Sequence, residues 1–222
     1  MGGAGCANII DKKKIQAKKV SFTDKEGDTM SPGIRPTTFA HIVYRTYRFE
    51  QMLAWYTCVF CAKVQYQNPV IAFVTYDDEH HRVALLNLGL MKGPSEAAAP
   101  RGQPGVDHVA YGFGSLRELL DKHAELKAKG VTPYWCVHHG ITVSLYYADP
   151  DGNQMEFQTD SYTSNDEANA FMHGPHFEVN PIGVEFDPDE MRARLDAGEN
   201  VAALLLRTTH LPVADVRGSM LG

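Results

Sequence analysis

The chain has 222 residues, enough for one sizeable core, with ordinary hydrophobic (44%) and charged (22%) fractions for a globular protein. A net charge of −6 argues against a nucleic-acid partner. No apolar run approaches the ~20 residues that span a bilayer, and the N-terminus lacks the apolar stretch of a secretory signal, so a cytoplasmic protein is expected.

Residues 1–36 read as a solvated N-terminal arm, with a basic cluster at Lys12, Lys13, Lys14, Lys18 and Lys19 before Ser31-Pro32-Gly33. The start Met1-Gly2-Gly3-Ala4-Gly5-Cys6 places a cysteine where a myristoylation signal wants a hydroxyl residue, so that modification is not expected. Four cysteines in a chain this long do not make a disulfide scaffold. Cys58 and Cys61 fall near the end of a helical pattern rather than at its start, and fit helix packing better than redox or zinc chemistry.

Phe39-Ala40-His41-Ile42-Val43-Tyr44 predicts a strand. A helix follows it, with its apolar stripe at Phe49, Met52, Leu53, Tyr56 and Val59. The offset that takes His41 to His108 reproduces both elements. Under it Tyr44 becomes Tyr111, and the stripe becomes Leu116, Leu119, Leu120, His123 and Leu126. Three strand-like segments follow each helix, at about 64–67, 70–76 and 82–88 in the first half and 132–137, 141–148 and 153–159 in the second. The expectation is an α+β domain over residues 37–160. Its two β-α-β-β-β modules, 37–91 and 106–160, form one curved mixed sheet around a metal cleft, separated by a Pro/Gly/Ala-rich linker near 92–104. Residues 161–222 predict a C-terminal helical extension packed on that domain, with helices over 165–172 and 189–205. Asp187-Pro188-Asp189-Glu190 is a helix start and Ala197-Gly198 a break.

Asp149-Pro150-Asp151-Gly152 is a turn feeding a strand whose alternation sets Met155 and Phe157 on the core face and Gln154, Glu156 and Gln158 on the other. Most of the ten histidines read as structural or surface residues, among them His123, His173, His176 and His210. His41 and His108 differ because the repeat makes them equivalent, on the first strand of each module. With Glu156 they make a two-histidine, one-carboxylate set with open positions, the donor set of non-haem Fe(II); Mn(II) also suits it, while zinc favours four-coordinate sites. The same offset taken back from Glu156 leads to Gly89, with no metal-binding residue close by, so the fourth symmetric ligand is missing. Two histidine pairs precede strands, His80-His81 and His138-His139. Thr142, Ser144 and Tyr146 are expected to face the cleft while Ile141, Val143, Leu145 and Tyr147 face the core.

These features together resemble the vicinal oxygen chelate superfamily (glyoxalase I, bleomycin-resistance proteins, type I extradiol dioxygenases), over about residues 37–160. Within it the extradiol group matches best. The resemblance is carried by His41, Glu79-His80-His81-Arg82-Val83-Ala84, His108, Tyr146 and Pro150-Asp151-Gly152 leading to Glu156. The extension motif Asn180-Pro181-Ile182-Gly183-Val184-Glu185-Phe186-Asp187-Pro188 resembles a single-domain catechol-2,3-dioxygenase-like group. The resemblance implies ring cleavage of a catechol-type diol by O2 at Fe(II) held by His41, His108 and Glu156. It makes His81 an outer-sphere acid, Tyr146 a donor to a substrate oxygen, and either His138 or His139 a further outer-sphere residue. It also implies a homo-oligomer, dimeric in the family. Two other readings stand beside it: a glyoxalase-like metal-dependent lyase or isomerase, which wants a fourth protein ligand, and a non-catalytic protein that sequesters a planar ligand.

Overall fold

The computed structural model describes residues 36–93 and 104–218. The N-terminal arm and most of the linker lie outside these residues.

Each module has the expected order. The first runs β1 (Ile42–Thr46), α1 (Phe49–Val59), β2 (Lys63–Gln67), β3 (Ile71–Thr75) and β4 (Val83–Asn87), followed by a single turn of helix, α2 (Leu88–Lys92). The second runs β5 (His108–Gly112), α3 (Leu116–Ala128), β6 (Trp135–His138), β7 (Thr142–Ala148) and β8 (Gln154–Asp160). The extension supplies α4 (Asn165–Met172), α5 (Pro175–Val179), β9 (Val184–Glu185), α6 (Pro188–Asp196) and α7 (Val201–Leu204). Its helices start as the sequence indicates. The Ser164 hydroxyl accepts from Glu167 N–H, and the Asp187 carboxylate accepts from Asp189 and Glu190 N–H. The helical pattern over 189–205 divides at Ala197-Gly198 into α6 and α7.

Strand pairing forms two ladders, β1-β4-β3-β2 and β5-β8-β7-β6-β9, so the curved layer expected as one sheet is built from two mixed sheets, one per module. In both, the first strand pairs in parallel with the last, β1 with β4 and β5 with β8. β9 was not legible in the sequence, because two residues give no periodicity; it extends the second sheet beyond β6.

One core serves both modules and the extension. Met52, Tyr56 and Val59 of α1, Leu119, Leu120 and Leu126 of α3, Leu145 and Tyr147 of β7, Met155 and Phe157 of β8, and Met191 and Leu195 of α6 belong to one buried cluster. Alternation explains the β8 contribution, since Met155 and Phe157 point inward as expected. Ile141 departs from its expected core role: it precedes β7 and lines a surface cavity instead. The turn before β8 ties the modules together. Asp149 accepts the N–H groups of Asp151 and Asn153 (2.9 Å each) and the Tyr56 hydroxyl (3.2 Å), while Arg48 pairs with Asp151 at 2.7 Å. Cys58 and Cys61 do not pack in the core. Both are exposed and free, since Cys58 falls outside the α1 stripe and Cys61 lies past the helix end at φ +51°.

Candidate active site

The register of the second sheet builds the site. His108 opens β5 opposite Gln154, and Ala110 lies opposite Glu156, so His108 and Glu156 share one sheet face. On the other side of β8, Tyr146 lies directly opposite Glu156. His108 Nε2 is consequently 3.1 Å from Glu156 Oε2. His139, one residue past β6, brings its Nε2 to 2.9 Å from the Tyr146 hydroxyl and 3.9 Å from Glu156 Oε1.

Register also corrects the counterpart of Glu156 in the first module. Val43, the repeat equivalent of Ala110, lies opposite Ala84, so Ala84 holds the carboxylate's place and Gly89 lies in α2. The constant offset fails here because the loops before the two last strands differ in length. No carboxylate stands at the corrected position either.

A chain of hydrogen bonds orients His108. Its Nδ1 meets Asp107 Oδ2 at 2.8 Å; Gln154 Nε2 donates to the Asp107 carbonyl (2.9 Å) and carboxylate (3.2 Å); Tyr134 donates to Gln154 Oε1 at 2.7 Å. A carboxylate behind a histidine is the usual outer-sphere support of a metal ligand, because it fixes ring and tautomer and leaves Nε2 for the ion. Sequence reasoning missed Asp107, although its position next to His108 is the signal that would have found it. Hydrogen bonding to Glu156, helped by Asp107, raises the His108 pKa to about 9 against the cost of burial. Burial pushes the Glu156 carboxyl up, but hydrogen bonds from His108 and Ser144, with the imidazoles of His139 and His108 nearby, outweigh it and leave the group below its ordinary value. The pair is thus a buried carboxylate facing an imidazolium, a donor set that fits a divalent cation once the imidazole gives up its proton.

His41 is not with them. It lies one residue before β1, exposed, with its ring 4.4 Å from that of His81, which also packs at a tilt against Phe73 (4.6 Å) and His80 (4.4 Å). Burial lowers the His81 pKa, and the neighbouring His41 and His80 add to the effect. Among the described residues no three His, Cys, Asp or Glu side chains stand grouped to hold a metal ion. Two of the three expected ligands are together, and the third stands with the first-module histidines.

His138 and His139 separate cleanly. His139 Nδ1 contacts the Ile182 carbonyl, which can only accept, so Nδ1 carries the proton and Nε2 accepts from Tyr146. Gly183 permits this approach. At φ +123°, a β-carbon there would lie 2.5 Å from the His138 carbonyl oxygen. Burial lowers the His139 pKa, opposed by the Ile182 carbonyl and Glu156. Burial and the Glu156 charge raise that of Tyr146, keeping it a phenol. His138, the other candidate, is not part of this group. It is 3% exposed and lines a different cavity, of about 230 Å³, with residues of α6 and α7.

Burial pushes the His138 imidazole down to about 4, against the Leu205 carbonyl. The unfolded chain therefore takes up a proton near pH 6.5 that the folded chain refuses until about pH 4, and stability falls as pH drops through that window. About 2–3 kcal/mol should be lost between pH 7.5 and 4.5. Urea unfolding of His138→Gln at the two pH values should lack that part of the loss; an unchanged loss would refute the assignment.

A cavity of about 390 Å³ opens on Glu156, Tyr146 and His139 and is roofed by α4. A second, more aromatic one of about 370 Å³ lies around Phe60, Tyr76 and Tyr111, away from these groups.

Residues 38–157 match the family model described as Glyoxalase/Bleomycin resistance protein/Dioxygenase superfamily. The chain is 47% identical over 174 residues to "Biphenyl-2,3-diol 1,2-dioxygenase 2" of Rhodococcus globerulus, covering 78% of this chain and 87% of that protein. It is 38% identical over 180 residues to "Biphenyl-2,3-diol 1,2-dioxygenase 3" of the same organism, covering 80% and 92%. Among solved structures, the lactoylglutathione lyase from Agrobacterium tumefaciens is 19% identical with a TM-score of 0.44, covering 56% of this chain and 94% of that one.

Proposed function

We infer the chemistry of this site from one premise: the chain belongs to the Glyoxalase/Bleomycin resistance protein/Dioxygenase superfamily, and within it is an extradiol dioxygenase that cleaves a catechol-type diol with O2. The observation that carries the reading to particular residues is the His108–Glu156 pair, backed by Asp107 and flanked by Tyr146 and His139.

In this reading His108 and Glu156 hold the metal, with His41 as third ligand and Fe(II) as the ion. Bound there, Fe(II) would supply the Lewis-acid and redox chemistry that ring cleavage by O2 requires. The remaining work falls to side chains. The neutral His139 presents Nε2 as a base that takes a diol proton. Tyr146, protonated at neutral pH, would turn its hydroxyl from His139 Nε2 to a substrate oxygen, which frees that nitrogen for the diol proton. Glu156 lines the cavity and, with His108 3.1 Å from its carboxylate, would fix where the diol sits. In this reading His81, beside His41 and with its pKa lowered by burial, would be the outer-sphere acid on the oxygen side. The substrate is a ring-substituted vicinal diphenol of the biphenyl-2,3-diol kind, the protein a cytoplasmic homodimer, and the pathway aromatic catabolism. Residues 37–160 form the catalytic domain.

The test is anaerobic loading with Fe(II) followed by oxygen uptake on a panel of mono- and bicyclic catechols. A yellow ring-cleavage product with one O2 consumed per diol is expected. Stoichiometric iron with no uptake on any diol would sink the reading. The metal-dependent lyase is not favoured, because its fourth ligand has no candidate at Ala84.

A further inference from the structure

The helix α4 lies outside the residues that match the superfamily, yet it roofs the cavity that opens on Tyr146 and Glu156. Four of its residues line that cavity: Asn165, Ala168, Asn169 and Met172. Their spacing, i, i+3, i+4 and i+7, is one complete helix face. No residue of α4 is buried, so this face is not spent on packing against the core. The helix is held by a neighbouring face instead. Phe171 packs on Tyr162 (5.8 Å) and Phe177 (6.0 Å) and lies under the Arg207 guanidinium at 5.1 Å. Its ring fills the space above Gly140, where a β-carbon would collide with it, so the helix is seated beside His139 by close approach to a residue without a side chain.

We propose that α4 is the specificity wall of this site: Ala168 and Met172 contact the group attached to the diol ring, with Asn165 and Asn169 on either side. This rests on the dioxygenase reading above and deepens it. The physical case is one of distance and volume. Glu156 and Tyr146 mark the end where the diol sits, and α4 is the opposite wall of a cavity of about 390 Å³, within the range of small-molecule pockets and larger than a single ring needs. A monocyclic diol beside Glu156 would use only part of that volume, and a second ring would extend into the remainder, where α4 supplies four of the lining residues. The wall is mixed in character, so its selectivity is for the size and shape of an aryl substituent rather than for charge.

Filling or emptying the wall should therefore change discrimination between substrates and leave the chemistry alone. Ala168→Leu adds three carbons on the cavity side. On iron-loaded protein it should lower kcat/KM for biphenyl-2,3-diol by about tenfold or more, the usual scale for a clash of this size in a pocket, while catechol stays within about twofold. Met172→Ala should widen the range of accepted substituents and raise relative turnover of bulkier 3-substituted catechols. Ala170→Leu, on the exposed face of the same helix, should change neither. Equal losses on both diols in Ala168→Leu, or no change on either, would overturn the proposal. The anaerobic affinity for biphenyl-2,3-diol is measured alongside. If wild type turns over neither diol, the dioxygenase reading fails on its own, and an Ala168→Leu affinity equal to wild type then refutes the wall independently.

Discussion

Glu156→Ala should leave a folded protein that retains no metal and cleaves catechols at least about 10³-fold more slowly, a loss of roughly 4 kcal/mol in transition-state stabilisation. Glu156 is 6% exposed and serves no packing role that alanine abolishes, because the core face of β8 belongs to Met155 and Phe157. What is lost is the carboxylate. Without it, His108 loses the partner that raises its pKa to about 9, and the two-donor set becomes a single imidazole. Metal analysis after dialysis and oxygen uptake on the same sample check the two halves together. Undiminished metal content would refute the ligand assignment. The same assay on His41→Ala tests its separate position beside His81. A fall in metal content equal to that of Glu156→Ala assigns His41 to the coordination sphere, and an unchanged content removes it.

Arg207→Met should cost about 3–5 kcal/mol of stability and, at temperatures where the protein remains folded, slow ring cleavage as well. Arg207 is 6% exposed, and its guanidinium donates to three main-chain carbonyls, those of His139 and Asn180 at 2.8 Å and His176 at 2.9 Å. Each bond from a charged donor contributes more than a neutral one, and truncation strips this partner from the buried Asn180 carbonyl and the half-buried His139 carbonyl, while that of His176 keeps the Asn180 N–H. In a chain of this size the loss corresponds to a fall in Tm of about 10 °C. The kinetic effect follows from what the carbonyls belong to. His139 is held at its main chain by Arg207 and at its ring by Ile182, so release of the first loosens the base beside Tyr146. Arg207→Lys keeps the charge but not the planar fork, and should recover part of the stability and less of the rate. A variant with wild-type Tm would show that the three bonds carry no net stability.

The repeat was legible because one constant offset preserves both a strand histidine and an amphipathic stripe, and both patterns survive folding. The helix start at Asp187 is legible because capping is local. What misled was distance along the chain used as a measure of position. Counting back from Glu156 by the spacing of His41 and His108 lands on Gly89, but hydrogen-bond register puts Ala84 there. Free cysteine is usually buried, but Cys58 falls off the α1 stripe and Cys61 lies beyond the helix, so both are exposed.

The sequence by itself determined the α+β modules, the face on which Glu156 points, the kinship of His41 with His108, and the candidacy of Tyr146. These depend on the strand and helix periods and on a repeat, all properties of the chain read locally. Only the tertiary structure decided that His139 and not His138 joins Tyr146, that Asp107 stands behind His108, that His41 lies with His81, and that α4 roofs the cavity. Those facts depend on which residues meet across strands and across the extension. Hydrogen-bond register and packing set such meetings, and no local pattern encodes them.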